Sequence, residues 1–198
     1  MSTATLESIR TRLGDVFTRQ EALREGLSKR RLYALRDAGE VVPIGRGLFR
    51  WAALGPADID LIWTAERVHK ATLCLETALV RHGLIDSIPA AIDVAIPRGS
   101  HRPRLPAAIR LHHFDSATFD LGRELLDVGA RKPLGLYSAE RSLVDAIRLR
   151  HGQGSDLAWE ALRRWLNRPG SSPSRLLAFA NEFKGAEKPL RTAFEVLL

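Results

Sequence analysis

Cysteine is almost absent from this chain of 198 residues, Cys74 being the single one. No intrachain disulfide can form, and no zinc site with several cysteine ligands can be built. Cys74 lies among apolar residues and reads as a buried core thiol. A reducing, cytoplasmic setting is expected. Long apolar runs are missing too. None approaches the roughly 18 residues of a membrane helix, and Met1 to Glu7 carry no basic-then-apolar export signal. The expectation is a soluble intracellular protein with no membrane partner. There is no low-complexity tract and no internal repeat. With 45% hydrophobic and 27% charged residues, global disorder is excluded, and the length allows one or two domains.

What the chain does have is positive charge, +7 in total. Ten of its basic residues and six of its acidic ones fall before the Gly55-Pro56 break, so +4 is carried by the first 56 residues. A basic surface attracts polyanions, nucleic acid foremost, with membranes and acidic proteins as alternatives.

Gly55-Pro56 interrupts helix and strand alike, and a domain boundary is expected there, giving residues 1–56 and 57–198. Before it, the pattern is three short helices and a hairpin. Leu6, Ile9 and Leu13 lie on one face of a helix over Thr3 to Leu13. Thr18-Arg19-Gln20-Glu21 is a capping box opening a second helix that ends at Gly26. Ser28 caps a third, Lys29 to Ala38, stopped by Gly39. Val41 to Ile44 and Leu48 to Trp51 then flank the turn Gly45-Arg46-Gly47, which reads as a β-hairpin. This order is that of a winged helix-turn-helix.

After the break, the expected class is α+β with a helical tail. Asp58 to His69 reads as a helix with Ile59, Ile62, Ala65 and Val68 inward. Strands are expected near Leu73–Leu75, Ala91–Ile96, Ile109–Phe114, Glu124–Val128 and Leu134–Tyr137. Helices are expected at Glu76–His82, Ser138–Arg150, Asp156–Asn167, Pro173–Phe183 and Glu187–Leu198. Ser138 is a helix cap, and Asp145 reads as a charge on the solvent side of that helix. Trp159, Leu162, Trp165 and Leu166 form an apolar face best explained by core packing.

At about 100° per residue, Leu32 and Leu35 mark the inward face of the third helix. Arg30 is then nearly opposite, with Lys29, Arg31 and Tyr33 on the flanks. Three cations at a helix N-terminus oppose the macrodipole, a cost that a phosphate backbone would offset. In the major groove, arginine pairs with guanine O6 and N7. The candidate nucleic-acid contacts are therefore Ser28, Lys29, Arg30, Arg31 and Tyr33, with Arg46 at the hairpin tip reaching a minor groove or phosphate. The plainer account is a solvated basic face and a glycine turn kept soluble by its arginine. Arg98, His101, Arg102 and Arg104 form a second basic cluster, either a further contact surface or a solvated inter-strand connection.

Catalytic signatures are missing. Gly99-Ser100 resembles the turn of nucleotidyltransferases, but no Asp-x-Asp follows it. Asp58-Ile59-Asp60 lies upstream at a helix start, where acids serve as caps. Without paired carboxylates, two-metal phosphoryl chemistry has no site. No phosphate-binding glycine loop or nucleophile elbow occurs. His112 and His113 are adjacent on a strand and point to opposite faces. No enzyme activity, metal or cofactor is expected.

Val16-Phe17-Thr18-Arg19-Gln20, Gly26-Leu27-Ser28, Arg31-Leu32-Tyr33, Gly39-Glu40 and Gly45-Arg46-Gly47-Leu48-Phe49 together resemble the winged-helix domain of AbiEi-type antitoxins. Ile96 to His101, Tyr137 to Asp145 and Pro189-Leu190-Arg191 resemble the actinobacterial members of that family. The resemblance implies the antitoxin of an abortive-infection toxin–antitoxin system. Such a protein represses its own operon by binding repeated half-sites in double-stranded promoter DNA, where self-association is possible, and counteracts a nucleotidyltransferase-like toxin. In this reading residues 57–198 form a mixed α/β antitoxin domain. The alternative is a plain winged-helix transcriptional regulator whose C-terminal domain dimerises or senses a ligand.

Overall fold

Helix α1 (Thr3–Leu13) starts the chain because Ile9 and Leu13 recur on one face and have a core to enter. The computed structural model to which it belongs describes residues 3–55 and 57–197. Strand β1 (Val16–Thr18) leads into α2 (Arg19–Arg24), then α3 (Lys29–Asp37). The wing follows as β2 (Val41–Gly45) and β3 (Leu48–Trp51), closed by a 3₁₀ turn over Ala52–Leu54. The three strands form an antiparallel sheet in the order β1-β3-β2. Strand β1 escapes a reading by periodicity because three residues carry no period. Its pairing is nevertheless specific, with Phe17 opposite Phe49 and the Phe17 and Trp51 rings 5.0 Å apart. Around this pair close Ile9, Leu13, Ala22, Leu27, Leu32, Leu35 and Val41. The helix-turn-helix and its wing thus share one small core.

The chain divides into two units, Met1–His69 with Asp127–Leu134, and Lys70–Leu126 with Gly135–Leu198. The expected boundary at Pro56 falls on a residue outside the described ones. Helix α4 (Ile59–Arg67), capped by Asp58, belongs to the first unit. Its Ile62 is buried with Val16, Ile44 and Leu48, and Ile59, Trp63 and Ala130 pack against that cluster.

The second unit is built on a mixed five-stranded sheet in the order β6-β5-β4-β8-β7. In chain order its elements are β4 (Thr72–Leu73), α5 (Leu75–Arg81), β5 (Ile92–Pro97), β6 (Ile109–Phe114), β7 (Arg123–Leu126) and β8 (Leu134–Tyr137). Helices α6 (Ala139–Arg148), α7 (Arg150–Gln153), α8 (Ser155–Leu166), α9 (Pro173–Ala180) and α10 (Glu187–Leu197) complete it. Strands β5 and β6 run parallel, as do β4 and β8, while β4 and β5 are antiparallel. Leu162 and Trp165 of α8 are buried among residues of α5, α6, α9 and α10, with Trp159 and Leu166 packed at the margin.

Asp145 corrects the sequence reading. It is not on a solvent face but wholly buried, as is Arg141 one turn before it. Helix α6 is covered all round from Arg141 to Ile147, so an apolar stripe cannot distinguish its inner side. The Arg141 guanidinium stacks 4.1 Å from the Tyr137 ring centre and 4.4 Å from that of Phe183. It also donates to the carbonyls of Thr118 and Leu121, each at 2.7 Å. Cys74 is fully buried, and burial, with the charges of Asp93 and Asp145, pushes its thiol up against the opposing pull of Arg141. That suits an inert core thiol.

Candidate nucleic-acid interface

Helix α3 is placed by two anchors, Leu32 and Leu35, both buried in the first-unit core. Its start is fixed by Ser28, whose hydroxyl accepts the Arg31 amide at 3.2 Å. That cap satisfies one of the N–H groups every helix start leaves open. With the apolar residues turned inward, Ser28, Lys29, Arg30 and Arg31 are exposed. The first turn holds no acidic residue. Among the described residues no carboxylate pairs with Lys29, Arg30 or Arg31, whereas Arg12 is taken by Glu25 and Arg36 by Asp37. Tyr33 is half-buried, with the Lys29 ammonium 6.0 Å and the Arg36 guanidinium 4.6 Å from its ring centre. The ring therefore collects cations along one side of the helix. Not every basic residue of this segment is on offer. Arg50 is buried and donates to the carbonyls of Gly55 and Leu54.

The wing is held in place by a close approach. A Cβ at Gly45 would lie 2.6 Å from the Trp63 ring, so only glycine lets α4 lie against the hairpin there. Gly47, with φ of 71°, takes the left-handed conformation that the turn requires. Arg46 stands exposed between them. Trp63 and Arg67 are four residues apart and share a helix face, and Arg67 donates to the Arg46 carbonyl at 3.1 Å. Arg19, also exposed, donates its backbone amide to Gly47 at 3.0 Å. Three arginines thereby line one cavity of about 410 Å³, together with Thr18, Gln20 and Gly47. Arg19 and Arg67 were not picked out by the sequence reading. The signal for Arg67 was its i, i+4 spacing from Trp63, which meant nothing until the partner of that face was known.

Arg98, His101, Arg102 and Arg104 lie in the connection between the parallel strands β5 and β6. All four are exposed, and none forms an ion pair among the described residues. The two strand histidines differ as their alternation demands. His113 is exposed, while His112 lies 2.8 Å from the buried Asp93 carboxylate, which Arg110 also approaches at 3.4 Å. No group of three or more His, Cys, Asp or Glu side chains placed to hold a metal occurs among the described residues. No helix among them is long and apolar enough to cross a membrane.

Comparison with known proteins extends these observations. The crystal structure of the RV2827C protein from Mycobacterium tuberculosis has a TM-score of 0.52 and 18% sequence identity, covering 97% of this chain and 79% of that one. At that identity the likeness is one of fold. No curated protein matches the chain in sequence. A family model described as transcriptional regulator, AbiEi antitoxin, matches residues 5–51, the segment from α1 through the end of the wing. The winged helix-turn-helix of this chain thus matches the model of the AbiEi antitoxin family of transcriptional regulators.

Proposed function

We propose that the chain is the antitoxin of a toxin–antitoxin pair and represses its own promoter. In this reading α3 enters the major groove, Lys29, Arg30 and Arg31 meet bases and phosphates, Ser28 and Tyr33 flank them, and Arg46 carries the wing to the neighbouring backbone. Two copies on repeated half-sites would gain effective concentration from each other. The second unit counteracts a nucleotidyltransferase-like toxin without catalysis of its own, and the connection bearing Arg98, His101, Arg102 and Arg104 is a second contact surface. The observation that carries the proposal is a coincidence of position. The segment matched by the AbiEi family model is also the segment that presents unpaired cations on a capped third helix.

Two measurements test it. In gel shifts, the chain should retard its upstream region, with affinity falling steeply as salt rises. In cells expressing the toxin encoded beside it, the chain should restore growth. Promoter binding without rescue would leave a plain winged-helix regulator, and neither result would refute both halves. The cytoplasm is the expected compartment for both activities.

A further inference from the structure

The proposed DNA contacts of the first unit all lie within the segment matched by the family model, whereas Arg67 lies outside it and lines one cavity with Arg19 and Arg46. We infer that Arg19, Arg46 and Arg67 form a binding site for a phosphodiester group of the DNA backbone, completed by a residue outside the winged helix. The inference rests on the DNA-binding reading and adds to it a site of its own.

Three features point to an anion. First, the arginines come from three elements, α2, the wing turn and α4, and line one cavity. Like charges gathered in a concavity repel unless an opposite charge joins them. Second, the nearest acids in sequence are already engaged. Glu21 and Glu66 both bind Arg131, at 2.7 Å and 2.9 Å, and Glu21 also accepts the Thr18 amide at 2.6 Å. Arg131 belongs to the same unit as the cavity, and by holding these carboxylates it keeps them from neutralising Arg19 and Arg67. Among the described residues, no carboxylate pairs with Arg19, Arg46 or Arg67. Third, Arg67 is fixed rather than loose. Trp63 against Gly45 sets its helix, and its bond to the Arg46 carbonyl sets its side chain. A guanidinium held by one N–H still has others free to bind phosphate oxygens. Thr18 and Gln20 supply further polar groups at the rim.

A phosphate contact adds affinity without reading sequence, which gives the site its own signature. Affinities of the full chain for its upstream duplex and for a scrambled duplex are to be measured over about 50 to 200 mM salt. R67Q and R19Q should each weaken binding to both duplexes by the same factor and flatten the log–log salt slope by about 0.9. The preference for the upstream duplex should stay as in the unsubstituted chain. R67K, which keeps a point charge, should hold most of the slope. Thermal melts identify any variant that fails to fold, and R19Q, whose side chain caps no element, then carries the test. A salt slope unchanged in R19Q and R67Q would overturn the inference. So would a loss confined to the upstream duplex, since that is base reading. If the unsubstituted chain binds neither duplex, the DNA reading falls and this site with it. If R30E abolishes binding while R67Q leaves the slope intact, only this site falls.

Discussion

Arg141 and Asp145, one turn apart on α6, form a fully buried ion pair at 2.8 Å. Arg148 joins from the helix end, 2.7 Å from the other carboxylate oxygen. Together with the Tyr137 and Phe183 rings against Arg141, this ties β8, α6 and the residues after α9 into one knot. The stretch from Tyr137 to Asp145 is therefore a structural signature rather than a set of surface charges.

Removing one partner of a buried pair strands the other charge, at a cost of about 3–5 kcal/mol. Asp145→Ala is expected to lower stability by that amount in urea denaturation. The double variant Arg141→Met with Asp145→Ala should lose less than the single variants Arg141→Met and Asp145→Ala together. Equal, additive losses would show that the pair is not coupled.

The recognition face should be separable from the fold. Arg30→Glu and Arg31→Glu alter exposed side chains that pair with no carboxylate among the described residues, so circular dichroism melts should stay near the unsubstituted value. Binding to the upstream duplex should weaken by at least about 1 kcal/mol for each base-contacting arginine. Gel shifts at moderate salt decide it, and normal retardation would place the reading surface elsewhere.

Gly45 offers a test of how α4 supports the wing. In Gly45→Ala the new methyl group meets the Trp63 ring, and the packing must yield, at about 1–3 kcal/mol. Trp63→Leu in the same chain should recover part of the loss, because the obstacle is gone. A Gly45→Ala variant as stable as the original would mean that the hairpin and α4 separate readily.

Acid should loosen the start of α2. Burial raises the Glu21 carboxyl, but the Thr18 backbone amide, the Thr18 side chain and Arg131 outweigh it, leaving the group below its ordinary 4.5. A lowered carboxylate contributes its full stabilisation above the unfolded value and loses it as pH falls through the folded one. Thermal melts of Glu21→Gln should therefore lie below those of the original chain near neutrality. The two should converge below about pH 4.5. Parallel curves throughout that range would remove Glu21 from the acid response.

The parts of this architecture that were legible in the sequence are those whose partners lie close together in it. Thr18 and Glu21 make the capping box in both directions, Ser28 caps α3, and the strands Ile109–Phe114 and Leu134–Tyr137 start and stop where their residues suggest. The illegible parts depend on distant partners. Ile62 and Trp63 announce an apolar face without saying that it meets Ile44 and Gly45. Arg131 looks like any loop arginine until the fold brings Glu21 and Glu66 to it. Asp145 has the composition of a surface residue, and only the rings and carbonyls around Arg141 account for its burial.

The first unit is not continuous in sequence, because residues 127–134, which run from the end of β7 to the first residue of β8, belong to it. On a ribosome this sets an order of events. Arg131 is made 65 residues after Glu66 and 110 after Glu21. At about 5–20 residues per second, Glu66 waits roughly 3–13 seconds for its cation. During that interval the residues of the wing and third helix have been made, but Glu21 and Glu66 lack the guanidinium that joins them in the folded chain. The contact that joins α2 and α4 to the segment 127–134 therefore closes only once residue 131 has been added and has folded back.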